Sequence, residues 1–370
     1  MKRLIALLGA LALAPAAFAA PPRIDARAWL VQNAATGEVL LEHNARARVP
    51  IASITKLMTV LVTLENAKLD DVVTVSTGTS RVGESTIHLR PGEQVRVRDL
   101  VEAALIQSAN DAAFALAEHV AHGSVPRFVA MMNAKAAELG LADTRFLNPS
   151  GLDVPGHVSS ARDVTKLARV AMRKQAVREI VARRTEVAAG RTLYTWNDLL
   201  GRYPGLLGVK TGHTADAGWS QVAAARGLGV TIYATILGSP TRAGRNDDLA
   251  ALLTWGLSRY RVVEAVSDDR TYATAAAGYG RGPLHLVAAE PLLRAVRIDR
   301  PLVERVVAPA VVSLPVRKGE RLGVVRVYAG GELLGERPLV ATESLSRPGL
   351  GGKIRWYATT TLENAWELIT

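Results

Sequence analysis

Ala52-Ser53-Ile54-Thr55-Lys56-Leu57-Met58-Thr59 is the stretch on which the reading of this 370-residue chain turns. From Ser53 onward the apolar residues Leu57, Val60, Leu61 and Leu64 recur at helical spacing, which predicts a helix with one face in a core. Ser53 stands at the start of that helix and Lys56 one turn later on the same face, so a hydroxyl and an amine can touch. A serine alone is a weak nucleophile and needs a neighbouring base. A lysine serves when burial or a nearby cation lowers its pKa enough to free its lone pair. The helix start adds backbone N–H groups that can hold an oxyanion.

This spacing recurs by chance in chains of this size, and composition sharpens it. Nine lysines stand against 36 arginines, and arginine cannot serve as a base where lysine can. Lysine occupies position 56 and again position 210, in Lys210-Thr211-Gly212-His213-Thr214. A second lysine folded near the first would depress its pKa by like-charge repulsion. A third element, Ser108-Ala109-Asn110, falls at the break between two helical patterns, where a hydroxyl and an amide could face a shared cleft. Taken alone, Asn110 reads more readily as the cap of the helix beginning at Asp111.

Outward from these motifs, Ala28 to Gln32 and Glu38 to Glu42 read as two short strands joined at Ala35-Thr36-Gly37. Helices are expected at 100–106, 111–119, 125–139, 161–172 and 247–258, with strands between Gly208 and Leu237 turning at Gly227 to Gly229. Beyond about residue 262 short β-rich segments take over: 284–288, 306–314, 323–328 and 332–340. The expected organisation is therefore a catalytic domain over 21–261, a small all-β domain over 262–345, and a linker with a terminal amphipathic helix over 346–370. Ile354, Tyr357, Leu362, Ala365 and Ile369 fall near one face of that helix, with Trp356 and Trp366 close by.

Residues 1–20 read as a cleaved secretory leader: Lys2 and Arg3, an apolar run from Leu4 to Ala14, and the small-residue pattern Ala17-Phe18-Ala19. A secreted chain with no cysteine excludes disulfides and thiol chemistry. The formal charge of +11 falls to +9 when Lys2 and Arg3 leave, which favours anionic wall polymers or lipid headgroups. Nucleic acid is not an expected partner outside the cytoplasm, and the basic residues read as scattered.

With these elements in place, the chain resembles the low-molecular-weight penicillin-binding proteins of the D-alanyl-D-alanine carboxypeptidase family. The similarity is carried by Ala52 to Thr59, by Gln107 to Ala113 (Gln-Ser-Ala-Asn-Asp-Ala-Ala), by Phe146 to Leu152 (Phe-Leu-Asn-Pro-Ser-Gly-Leu) and by Val209 to Thr214, and it extends from about Ala28 to the C-terminus. It implies an α/β (α+β) fold: a penicillin-binding, β-lactamase-like domain with an antiparallel sheet flanked by helices, then a small β-sandwich and a membrane-associating helix. It further implies a periplasmic protein on the outer face of the cytoplasmic membrane, with peptidoglycan pentapeptide stems and β-lactam antibiotics as ligands and an anionic membrane surface as partner of the helix. The middle motif reads Ser-Ala-Asn where Ser-Gly-Asn is more usual, and Ala109 is tolerable unless its φ is positive.

The mechanism so implied has Ser53 attack the penultimate D-Ala carbonyl while Lys56 takes its proton. The N–H groups of Ser53 and His213 hold the oxyanion, and Ser108 and Lys210 relay a proton to the departing D-Ala. Asn110 completes the catalytic set. Thr211 and Gly212 offer a strand edge to the peptide. Arg245, in Ala243-Gly244-Arg245, is expected to reach the cleft and grip the terminal carboxylate bidentately, the alternative being a solvated surface residue. Which of the two lysines is neutral stays open. No cofactor is called for, and His119 and His122 lack the His-Glu-x-x-His of a zinc hydrolase. A class A β-lactamase is disfavoured because no Glu-x-x-Leu-Asn lies between Asn110 and Lys210. An endopeptidase cutting cross-links of the same polymer, and an inert wall-binding protein, remain as alternatives.

Overall fold

A computed structural model describes residues 4–11 and 20–367, with the side chains of 4–11, 360 and 362–367 outside the description. The expected leader cleavage site at 17–20 falls largely outside the described residues, as do Ile369 and the side chains of Leu362, Ala365 and Trp366. The chain divides into two compact units, one spanning Ala19–Ser258 and the other holding Arg259 onward together with Leu4–Leu11.

The first unit is built on a five-stranded antiparallel sheet in the order Val39–His43, Ala28–Asn33, Val230–Ser239, Gly218–Gly227, Leu206–Thr214. The tight turn between the fourth and third of these is Leu228-Gly229, both with positive φ, as a two-residue hairpin connection requires. Helices run in chain order as α1 (Lys56–Asn66), α2 (Val97–Glu102), α3 (Asn110–Val120), α4 (Val125–Glu138), α5 (Ala161–Ala171), α6 (Gln175–Val181) and α7 (Arg242–Ser258). From Lys56 to Thr63 every residue of α1 is buried, which makes it the central helix of the core. Its apolar side chains Leu57, Met58, Val60 and Leu61 pack there with Leu100, Leu116, Phe128 and Phe146.

Two expectations change here. The helix expected over 100–106 stops at Glu102 and gives way to a π-helical turn, Ala103–Gln107, that ends on a left-handed Ser108 with φ 65°. Such turns concentrate at functional sites. The helix expected from Asp247 begins five residues earlier at Arg242, because Thr241 supplies the start: its Oγ1 accepts from Gly244 N and its carbonyl from Arg245 N. That shift puts Arg245 in a first helical turn.

The second unit is β-rich. Its main sheet runs Leu4–Leu11, Leu302–Pro309, Arg321–Ala329, Glu332–Ala341, Leu284–Ala288, Thr271–Ala277, Val311–Val312, and a two-stranded sheet joins Tyr260–Val266 to Leu292–Arg297. Leu284, Leu286, Leu302, Val325, Val327 and Leu339 fill its core. Leu4–Leu11, expected as leader, pairs antiparallel with Leu302–Pro309 in the uncleaved chain. The final helix, α8 (Leu350–Glu367), begins inside the stretch read as linker. Trp356 meets Tyr279 edge-on at 5.4 Å, while Leu350, Ile354 and Tyr357 are exposed at helical spacing. Among the described residues, no helix is long and apolar enough to cross a membrane.

Candidate active site

Ser53 lies in a 3-10 turn, Ala52–Thr55, which leads directly into α1. Ala52 before it is left-handed, φ 48°, a strained backbone of the kind that persists where its surroundings over-determine it. Gly151 is one such constraint. With φ 89°, a Cβ there would fall 1.9 Å from the Ala52 carbonyl oxygen, so only glycine allows the two backbone segments to approach. Gly212 is pressed from the other side: its Cβ would lie 2.8 Å from Ile51 O and 3.2 Å from Ser53 N. The Leu206–Thr214 strand therefore runs tightly past the backbone of Ser53.

Lys56, fully buried, brings its Nζ to 2.7 Å from Ser53 Oγ, 2.7 Å from Asn110 Oδ1 and 2.8 Å from the Ser150 carbonyl. Two of these partners can only accept, whereas the hydroxyl can also donate. A neutral amine satisfies all three by giving its two protons to Asn110 and Ser150 and turning its lone pair to the Ser53 hydroxyl. Burial holds the Lys56 pKa well below 10.5, with the charge of Lys210 as the next cause and Glu84 and Asp111 opposing. Both causes are those expected from the sequence, and burial is the larger.

Lys210, also buried, donates to Ser108 Oγ and to the Thr211 carbonyl, both at 2.9 Å. Burial, and then Arg245, lower its pKa to about 7. Ala109 has φ −63°, so the alanine in the middle motif meets no backbone conflict; the left-handed residue is Ser108. Asn110 is the first residue of α3 and does not cap it. Its side chain bridges Lys56 and the Gly83 carbonyl, to which Nδ2 donates at 3.1 Å.

Arg245 is buried, which disposes of the solvated-surface alternative. It lines a cavity of about 240 Å³ with Ser53, Ser108, Thr211, Gly212 and His213. The bidentate grip needs correction. Arg245 Nε and Nη2 both donate to Asn246 Oδ1, and Nη2 also to Asp198 Oδ2 at 3.0 Å, so Nη1 is the nitrogen without a partner in this set.

Several residues here escaped sequence reasoning. Asp198 also accepts from Arg242 Nε and Nη2, at 2.8 and 2.5 Å, and from Asn246 Nδ2. The Arg242 hydrogen bonds, foremost, lower its pKa to about 2. Arg242 stacks over the rings of Trp196 and Trp219, and Trp219 lies on His213 with centroids 3.9 Å apart. Asp111, buried, accepts from Ile87 N and Leu89 N and so fixes the segment that carries Glu84 and Ser85 to the cavity. Asn148 Oδ1 accepts from Ser150 N and Gly151 N, holding the carbonyl that meets Lys56. Of these, Asp111 lies within Gln107 to Ala113 and Asn148 within Phe146 to Leu152, two stretches that carry the family resemblance, whereas Trp196, Asp198, Arg242 and Trp219 left no sequence signal.

Known proteins resemble this chain over most of its length. Residues 16–241, more than half of the chain, match the family model Peptidase S11, described as D-alanyl-D-alanine carboxypeptidase. D-alanyl-D-alanine carboxypeptidase DacC of Escherichia coli is 33% identical over 92% of this chain and 90% of its own. DacF of Bacillus subtilis, of the same description, is 31% identical over 94% of this chain and 96% of its own. Penicillin binding protein 5 from Haemophilus influenzae superposes with a TM-score of 0.64 at 26% identity, covering 89% of this chain and all of that one. The chain belongs to the Peptidase S11 family of D-alanyl-D-alanine carboxypeptidases.

Proposed function

We propose that this serine-type D-Ala-D-Ala carboxypeptidase trims the terminal D-alanine from peptidoglycan pentapeptide stems through an acyl-enzyme on Ser53. The three-way setting of Lys56 Nζ carries this reading, since a buried amine whose other contacts are both carbonyls turns its lone pair to the Ser53 hydroxyl. As Oγ bonds the penultimate D-Ala carbonyl carbon, its proton passes to Lys56 Nζ, and the oxyanion sits between the N–H groups of Ser53 and His213. The C–N bond then breaks, and the departing amine receives a proton through Ser108 and Lys210. Water cleaves the ester and returns the serine proton. Asn110 orients Lys56, and Thr211 and Gly212 support the extended stem. β-Lactams acylate the same serine.

Arg245 is proposed to hold the substrate's terminal carboxylate through Nη1. Arg245→Ala is expected to cost about 1.5–3 kcal/mol of transition-state stabilisation on a free-acid peptide, roughly 10- to 150-fold in kcat/KM, and little on the amidated peptide. Equal losses on both would remove Arg245 from the site. We also place the mature protein in the periplasm, its leader removed, with the exposed Leu350, Ile354 and Tyr357 of α8 meeting an anionic membrane surface beside Lys353 and Arg355.

A further inference from the structure

The cleft has one end that the mechanism leaves unexplained. Ser108 and Lys210, which serve the departing amine, and Arg245, which serves its carboxylate, mark the leaving-group side of the cavity, and Trp196 lines that same cavity. Trp196 lies just beyond the Arg191–Tyr194 strand in a loop pinned to the sheet: Asn197 Oδ1 accepts from Gln221 Nε2 at 2.9 Å, and Asp198 is held by Arg242 and Arg245. From that loop the indole reaches the π-turn that carries Ser108. Its Nε1 donates to the Gln107 carbonyl at 3.0 Å, immediately before Ser108 in the π-turn wall. Arg242 lies over the ring, 5.3 Å from its centroid.

An indole 45% exposed yet held at its polar tip and on its face is a crossbar at the rim rather than part of the core. The cavity it helps to line, about 240 Å³, is smaller than the roughly 300–1,000 Å³ of ordinary ligand sites. A bar at that rim suits a leaving group that terminates in a carboxylate, and obstructs one that continues into a second stem.

We infer that Trp196, braced by Gln107 and Arg242, closes the leaving-group end of the cleft and restricts cleavage to a terminal residue, making it the specificity-determining residue that separates carboxypeptidase from endopeptidase action. This rests on the acyl-enzyme reading above. The catalytic serine and lysines are indifferent to the size of the group beyond the scissile bond; the crossbar is not. Its removal opens the site to a stem dimer in which the same D-alanyl carbonyl is bonded to the side-chain amine of another stem.

The test compares Trp196→Ala and Trp196→Phe with the unmodified protein on two synthetic substrates, a free-acid pentapeptide stem and the cross-linked dimer. Integrity of the site is monitored by penicillin acylation. Gln107 O keeps the hydroxyl of Ser85 as a donor at 2.9 Å, so the alanine variant does not strand that carbonyl. For Trp196→Ala the ratio of kcat/KM on dimer to that on monomer should rise at least about tenfold, with Trp196→Phe between the two. An unchanged ratio, or an unmodified protein that already cuts dimer as readily as monomer, overturns the inference while leaving the acyl-enzyme intact. An unmodified protein that penicillin does not acylate would sink the underlying reading and this inference together.

Discussion

Lys210 offers a perturbation whose size can be worked from its surroundings. Folding takes its amine from 10.5 to about 7 by burial and by the charge of Arg245. Between those limits the unfolded chain holds a proton that the folded chain does not, so stability rises with pH across the window and the full penalty applies below about pH 7. At about 1.4 kcal/mol per pH unit the penalty approaches 5 kcal/mol, of which about 3 kcal/mol is relieved on going from about pH 7 to about pH 9.5. Lys210→Met keeps the side-chain length and removes the titration. Its loss of donors to Ser108 Oγ and Thr211 O adds a constant that cancels when each protein is compared with itself at two pH values. Removing Lys210 also relieves its repulsion of Lys56, which flattens the profile further. Denaturant unfolding at both pH values should therefore give the variant a stability increment about 3 kcal/mol smaller than that of the unmodified protein. Equal increments would refute a buried, proton-poor Lys210.

Two further outcomes are expected. Lys56→Arg should abolish turnover nearly as fully as Lys56→Ala, because a guanidinium keeps the charge but has no lone pair to give Ser53; substantial kcat in the arginine variant would reduce Lys56 to an electrostatic role. Ile354→Glu, on a side chain 68% exposed, should weaken sedimentation with anionic vesicles and leave kcat on a short peptide unchanged, whereas unaltered partitioning would mean that α8 docks only on its own domain through Trp356 and Tyr279.

How much the sequence disclosed depended on whether the signal was local. The approach of Lys56 to Ser53 is an i, i+3 relation on one chain segment and was legible directly. Lys210 stood out because this chain uses arginine at most basic positions. The organisation into a helical and sheet unit and then a β-rich one was legible from the change of period near residue 262. By contrast, Trp196, Asp198 and Arg242 meet across about 45 residues with no periodicity to link them, and nothing in the sequence marks them. The α7 start is hard to place because its first turn, Arg242-Ala243-Gly244-Arg245, carries no apolar stripe, and the Thr241 cap decides it instead. The Thr271–Ala277 strand is mostly alanine and threonine, too weakly alternating to register. An unbroken apolar run such as Leu4–Leu11 has no period, so the same residues fit a leader and an edge strand. Ser108 falls at a helix break that the sequence does show, but that the break is a π-turn ending left-handed is a tertiary fact.

The most direct measurement is an intact-mass spectrum of the protein after incubation with penicillin, with digestion afterwards to locate the adduct. Acylation should add one penicillin mass per chain, on the peptide containing Ser53, and Ser53→Ala should show none while keeping its fold. An adduct on any other residue, or one that survives Ser53→Ala, would contradict the assignment of Ser53 as the nucleophile.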